Sequence, residues 1–307
     1  MNIDSVQTVK EFTKRYNLGN PFDLDNEISY KAWRENKLEF YPEKVEDLII
    51  EINDPKKLDD NEFDAIRKLL IKTNMAIYRS DTAKDADKQI PVKLGKQFGL
   101  SELDDNMGAD DGITSLKVVT GQSQSDYIPY TNKAIHWHTD GYYNAMNKQI
   151  HSLFLNCVSA AENGGENALL DHEIAYIHLR DSNPDYIDAL MRSDAMTIPP
   201  NSKNGKEIRP LRSGPVFTIT QNGNLHMRYT ERTRSIEWKI DFVTQAAVEA
   251  LNQFLNSSSS FIYRATLQPG QGLISNNVLH NRASFKDSFA NKRLLYRLRY
   301  FQRIANT

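Results

Sequence analysis

The sequence predicts a mainly β fold with flanking helices, two sheets wrapped round one core as in a jelly roll. Three observations predict it. Short runs rich in β-branched and aromatic residues recur along the chain, bounded by turn-forming residues. Helical periodicity is confined to a few stretches. Apolar residues, 39% of the 307, with Phe, Trp and Tyr at 10%, are ample for a folded core. No internal repeat and no composition break is visible. Residues 1–307 are therefore expected to form one domain: a mostly helical part over 1–112 packed on a barrel core over 113–307 that carries a helical insertion.

In chain order, residues 6–16 have helical spacing at Val9, Phe12 and Tyr16, and Pro21 breaks it. The remainder up to Tyr41 reads as polar helix and loop. Residues 46–52 are short and apolar, and strand and helix both stay open there. Acidic residues precede Phe63, Ile66, Leu69, Leu70 and Ile71, which marks a helix start, and residues 75–79 are the strand that follows. Residues 88–98 read as a helix ended by Gly99. The acidic stretch 104–112 lacks the closing glutamate of a calcium loop and reads as a solvated loop. Residues 113–120 are β-branched and extended, and the polar segment 121–132 is either a wall of a site or a surface loop.

Residues 151–158 are a strongly apolar strand, 163–167 a glycine turn, and 168–170 resume the sheet. Helices are expected at 171–179 and 184–191, separated at Asn183. Strands follow at 195–198, 216–220 and 225–229, the last two joined as a hairpin at Asn222-Gly223. Residues 240–255 have helical periodicity, and 261–267, 272–275 and 294–302 finish the chain as strands.

Charge is balanced, 38 Lys and Arg against 40 Asp and Glu, which argues against nucleic acid as a partner. No apolar run approaches a membrane span, and the first residues show no secretory signal. The single Cys157 lies in an apolar run and reads as a buried, inert thiol, so a reducing cytoplasm is expected. Oligomeric state, a homo-oligomer included, is not readable.

The chemistry concentrates in the stretch 134–143. His138 and Asp140 are two residues apart, so on extended backbone both point the same way and can grip one metal ion from one side. His280 is the best candidate for a third ligand. Two histidines and a carboxylate on one face of an octahedron leave the other positions open, the arrangement of non-haem Fe(II) oxygenases. His136 offers a rival: a His136/His138 pair could chelate zinc, as in hydrolases. Otherwise His136 lines the pocket or bonds a loop, and Trp137 points the other way into packing.

Four local matches over residues 133–303 carry a resemblance to a known family. They are Trp137-His138-Thr139-Asp140, Gly164-Gly165-Glu166-Asn167, the run from Gly272 through Asn276-Asn277 to His280, and the pair Arg293/Arg297. Their order and spacing resemble the taurine dioxygenase-like Fe(II)/2-oxoglutarate-dependent oxygenases. His226-Met227-Arg228-Tyr229 adds a fainter likeness to the glutarate hydroxylase branch.

The resemblance implies a double-stranded β-helix, the cupin-like jelly roll. It implies Fe(II) on His138, Asp140 and His280, with 2-oxoglutarate as cosubstrate and O2 as oxidant. A carboxylate at Asp140 speaks against the halogenating branch. Arg293 is the implied partner of the distal 2-oxoglutarate carboxylate, which its planar fork suits. Arg297 has the same strand parity and is implied near the cosubstrate or the substrate acid. Which of the two holds the carboxylate stays open. A basic surface stripe, with Arg282, Arg299 and Arg303, is the plainer alternative.

Asn167 stands where the family commonly has a cosubstrate-contacting threonine, and its amide can donate in that role. Arg228, Tyr229, Arg232 and Arg234 form a second basic and aromatic cluster. Pointing inward, Arg228 would bind a substrate anion beside Tyr142 and Tyr229; pointing outward, it is a solvated charge. His151, His172, His178 and His226 lack ligand spacing and read as core or surface.

The expected activity is hydroxylation of an unactivated C–H bond in a small acidic or amino-acid-like molecule, with release of succinate and CO2. A zinc-dependent hydrolase, a non-catalytic cupin-like binder and a scaffold protein are the other classes.

Overall fold

The computed structural model describes residues 6–105, 111–121, 127–203, 205–232 and 236–307. Arg234, and parts of the stretches 104–112 and 121–132, lie outside the described residues.

Capping residues and periodicity mark the helices, the one at Gln89–Gln97 lacking a side-chain cap bond. The helices are α1 (Val9–Tyr16), α2 (Glu27–Leu38), α3 (Asp60–Thr73), α4 (Gln89–Gln97), α5 (His172–Ser182), α6 (Pro184–Met191) and α7 (Phe242–Leu255). Asp59 caps α3: its carboxylate accepts from the Glu62 N–H at 2.9 Å, and Glu62 accepts in return from the Asp59 N–H. Asn183 ends α5 and caps α6, whose first residue is Pro184. α7 starts at Asp241, which accepts from the Thr244 N–H, and buries Ala247, Val248, Leu251, Phe254 and Leu255 on one face.

Two sheets make the barrel. The larger has the order Ile49–Glu51, Met75–Arg79, Gln271–Ser275, Ser152–Ser159, Leu294–Tyr300 and Ile113–Leu116. Only its first pair is parallel. The smaller has the order Tyr263–Ala265, Asn167–Leu170, Leu279–Arg282 and Ile135–His138. The chain passes from Gln271–Ser275 in the larger sheet to Leu279–Arg282 in the smaller through Asn276-Asn277, the linkage expected of a jelly roll.

The N-terminal part is more than a cover, because Met75–Arg79 lies inside the larger sheet, paired on both sides. The ambiguous run 46–52 does both things: a 3-10 turn at Val45–Leu48 leads straight into the strand Ile49–Glu51. The strand expected over 113–120 stops at Leu116. Its pairing with Leu295–Leu298 ends there, so β-branched residues beyond have no ladder to join. The Phe217–Ile219/Leu225–Met227 hairpin forms with Gly223 at φ +83° in its turn. Cys157 is buried, and burial pushes its thiol up to about 12. Among the described residues no helix is long and apolar enough to cross a membrane.

Candidate metal centre

Strand pairing builds the centre. His138 ends the strand Ile135–His138, and His280 is its direct cross-strand partner on Leu279–Arg282. Opposed residues on an antiparallel ladder bring their side chains together, and the two imidazole centroids are 4.2 Å apart. Asp140 lies two residues beyond the strand end, in a turn rather than on extended backbone. Its carboxylate still converges: Oδ2 is 3.9 Å from His280 Nε2, and the three residues each offer a ligand atom within 4.8 Å of the others.

Asn277 holds that turn in place. Its Oδ1 accepts from the Asp140 N–H at 2.8 Å, and its Nδ2 donates to the Asp140 and Ile150 carbonyls. Thr139 is pinned from the other side, where its N–H donates to the Tyr229 carbonyl at 3.0 Å and its hydroxyl accepts from the Tyr229 N–H at 3.0 Å.

The protonation states suit a metal. Both Nδ1 atoms lie 2.9 Å from a main-chain carbonyl, His138 on His136 and His280 on Val278. An imidazole that donates from Nδ1 presents the lone pair of Nε2. Desolvation, then the neighbouring His280, pulls His138 down to about 3, and burial lowers His280 as well. Burial alone would raise Asp140, but Arg297 and Arg299 outweigh it and hold the carboxyl well below the usual carboxylate range. The result is two neutral imidazoles and one carboxylate, the state in which these groups bind a cation. Asp140 Oδ2 is buried without any partner, while Oδ1 accepts from Arg297 Nη1 at 3.0 Å. A mixed nitrogen and oxygen set with an orphaned carboxylate oxygen fits Fe(II).

Beside this triad stand arginines with unused donors. Arg293 is 5% exposed, and its Nη1 is buried with no partner. Arg282, 4% exposed, donates Nη2 to the Thr131 and Lys133 carbonyls but leaves Nε and Nη1 unpartnered. Both guanidiniums sit on the Phe285 ring, at 5.0 and 5.1 Å from its centroid. Burial, then Arg293 and Arg297, pulls Arg282 down to about 9. Arg297 keeps Nε free. Buried donors of one sign without acceptors make a receptor for an anion with several oxygens, and a dicarboxylate such as 2-oxoglutarate fits them.

The structure gathers most of the sequence candidates and disperses some. His138, Asp140 and His280 converge, Arg297 bonds Asp140, and Arg293 and Arg297 both lie within electrostatic reach of Arg282. Asn167 is buried nearby, with one amide N–H given to the Asn281 carbonyl at 2.8 Å. Tyr142, two residues after Asp140, is buried with its ring 5.2 Å from that of Tyr143.

Arg228 does point inward, yet it is not free for an anion. It donates Nε to the Tyr142 carbonyl, Nη1 to Met196 and Gly214, and Nη2 to Arg212. Tyr229 is corrected too: its hydroxyl donates to Asn252 at 2.6 Å, on α7, and its ring is fully buried. Only its main chain serves the centre. His136 is 70% exposed and 3.8 Å from Glu231, so it neither lines the pocket nor joins His138 on a metal. Trp137 is buried, as its alternation with His138 requires.

Asn277 and the placement of Arg282 were missed. The signals were present: Asn277 precedes His280 by three residues, and Arg282 follows it by two, with the same strand parity.

The family described as "Taurine catabolism dioxygenase TauD, TfdA family" matches residues 37–299. Among curated relatives, a uridine-5'-phosphate dioxygenase from Amycolatopsis sp is 29% identical over 173 residues, 53% of this chain and 60% of that protein. One of the same name from Streptomyces sp is 29% identical over 193 residues, 60% of this chain and 68% of that protein. The match thus spans less than two thirds of the first relative. An asparagine oxygenase crystallised with Fe(II), 2S,3S-3-hydroxyasparagine and succinate superposes with TM-score 0.54 at 13% identity, over 80% of this chain and 85% of that one. The non-heme iron oxygenase OrfP with Fe and alpha-ketoglutaric acid gives 0.57 at 15% identity, over 80% and 81%. At such identities these two likenesses establish the shared fold.

Proposed function

This chain belongs to the Taurine catabolism dioxygenase TauD, TfdA family, and from that premise we propose that it is an Fe(II)- and 2-oxoglutarate-dependent dioxygenase hydroxylating a C–H bond of a small acidic molecule. The observation that carries this reading is the convergence of His138, Asp140 and His280 beside arginines whose buried donors lack acceptors. Iron bound there, with dioxygen, supplies the oxidation of 2-oxoglutarate to succinate and carbon dioxide that is coupled to substrate hydroxylation.

The chain's own residues hold and orient. His138 and His280 offer Nε2, each ring fixed by its Nδ1 contact to a main-chain carbonyl. Asp140 offers Oδ2, while Arg297 restrains Oδ1 and so selects which oxygen faces the metal. Arg293, backed by Arg282, binds the distal carboxylate of the cosubstrate, with the free Nε of Arg297 as a further donor; Asn167 spends an amide N–H on the Asn281 carbonyl and leaves its Oδ1 unpartnered. Burial of these groups excludes water and strengthens each charge-assisted bond. We treat residues 1–307 as one oxygenase domain, because Met75–Arg79 pairs with both neighbours in the larger sheet.

A relative named for uridine-5'-phosphate supports a small acidic substrate. Two measurements test the proposal. Elemental analysis of anaerobically prepared protein is expected to find iron. Protein supplied with Fe(II), ascorbate, 2-oxoglutarate and a panel of small acids is expected to form succinate when the right acid is added. Zinc in the protein together with no 2-oxoglutarate binding would instead favour a hydrolase.

A further inference from the structure

Three arginines without a role so far gather at Arg209, beside the Tyr142/Tyr143 pair. Arg209 has its Cζ 5.8 Å from the centre of the Tyr143 ring, is anchored by Nη2 on the Pro199 carbonyl at 2.8 Å, and keeps a buried Nε without a partner. Arg212 likewise has a buried, unpartnered Nε. Arg232 is near enough to act electrostatically on both Arg209 and the Tyr142 hydroxyl. None of the three has a carboxylate partner among the described residues. Arg228 adds a fourth positive charge behind them, with its donors already spent on main-chain carbonyls.

The cluster connects to the metal centre through one side chain. Tyr143 accepts from Arg299 Nη1 at 2.8 Å, and that same nitrogen is 3.7 Å from Asp140 Oδ1. Arg209 and Arg299 thus share the Tyr143 ring, and Arg299 reaches Asp140. Gathered cations without acids repel one another, which is unfavourable unless an anion joins them. A single carboxylate would satisfy one guanidinium fork. Three forks suit a dianion with three terminal oxygens.

We propose that Arg209, Arg212 and Arg232 form the receptor for a phosphate monoester carried by the primary substrate, which sets the substrate class of this site as a small phosphorylated molecule. This rests on the reading of the triad as the reaction centre. Desolvation, which lowers Arg209, is offset when such a dianion binds. This anion would use donors other than those left free on Arg293, Arg282 and Arg297, so the two anionic ligands would not compete for one set.

The test uses the full chain loaded anaerobically with Mn(II) and 2-oxoglutarate, titrated calorimetrically with ribose 5-phosphate, ribose and inorganic phosphate. Ribose 5-phosphate is expected to bind at least about tenfold more tightly than ribose, from one or two charge-assisted hydrogen bonds. Arg209→Gln, Arg212→Gln and Arg232→Gln are each expected to cut that preference severalfold, and the triple variant to erase it. In all of them 2-oxoglutarate binding is expected to stay at the parent level, which also shows that the variants fold. Equal binding of ribose and its phosphate, or a preference retained by the triple variant, overturns the proposal. Failure of the parent protein to bind Mn(II) and 2-oxoglutarate would instead overturn the reaction centre on which it rests, so the two failures are separately visible.

Discussion

Two buried charge clusters in this protein are built on opposite terms. Under the N-terminal helices, Lys37 is 4% exposed and lies 2.7 Å from Asp171, with Glu173 as a second partner. Asp171 also accepts from Asn74, from the Tyr41 hydroxyl and from the Glu173 N–H. Every charge there is answered by the chain itself. Around the metal centre Asp140 Oδ2, Arg293 Nη1, Arg282 Nε and Nη1 and Arg297 Nε are buried with nothing to bond. A satisfied cluster staples one element to another, whereas an unsatisfied one costs stability until a ligand completes it. The first kind belongs to the fold and the second to function.

The largest effect should come from breaking the second cluster at its centre. His138→Ala is expected to reduce succinate formation to background and to lower bound iron, while shifting stability of the metal-free protein by no more than about 1 kcal/mol. Substrate-stimulated succinate release and thermal melting read the two halves of that statement. Full turnover in the variant would remove His138 from the ligand set.

Breaking the first cluster should do the reverse. Lys37→Met leaves Asp171 and Glu173 buried without their cation, at a cost of about 3–5 kcal/mol. A lower denaturant midpoint with iron and 2-oxoglutarate binding retained below the transition is the expected result. Loss of iron binding at unchanged stability would collapse the contrast between the clusters.

Arg293→Gln sharpens it further. Losing a charge-assisted pair costs about 1.5–3 kcal/mol, so the KM for 2-oxoglutarate should rise about ten- to a hundredfold. Stability should fall little, because among the described residues Arg293 has no salt bridge, Asp287 acting on its charge only from beyond that range. Steady-state kinetics at varied 2-oxoglutarate measure the first and denaturant melts the second.

The smallest effect concerns a third polar cluster, of an intermediate kind. His151 and His226 have ring centroids 4.4 Å apart, and His172 bonds the Leu225 carbonyl. Burial holds all three below the usual imidazole range, His151 at about 4 and His172 at about 3. Facing charges include Arg303 throughout, with Lys37 and Glu173 near His172. Their folded values lie below the unfolded one, so the unfolded chain takes up protons first as pH falls. Stability is complete above about 6.5 and declines below it, by about 1.4 kcal/mol per pH unit for each histidine. His151→Asn should remove one such increment from the slope between pH 6.5 and 4.5, as read from melts across that range. An unchanged slope would show that His151 is not buried neutral.

Part of this was readable from sequence because it is local. A helix start before Phe63, a break at Asn183 and a hairpin at Asn222-Gly223 depend on residues a few positions apart, and the structure has each of them. His138 and Asp140 were legible for the same reason, since a spacing of two is a statement about one short segment. His280 was legible through the run that leads into it and through the pair of arginines that follows.

What a guanidinium meets is decided elsewhere. Arg228 and Arg209 are the same residue type, nineteen positions apart, and sequence patterns pointed to the first as the anion binder. The fold brings four main-chain carbonyls to Arg228, from segments as distant as Tyr142, and leaves a buried Nε of Arg209 with none. The alternatives left open for His136 and Arg282 were decided the same way: one is exposed beside Glu231, the other buried with Arg293 and Arg297 near it. By itself the sequence determined most of the helices and longer strands and the candidate ligands with their order along the chain, while the length of the strand at 113–116 and the short strands over 201–214 escaped it. Only the tertiary structure decided which polar groups are satisfied, because hydrogen-bond partners are set by segments far apart in the chain that folding brings into contact.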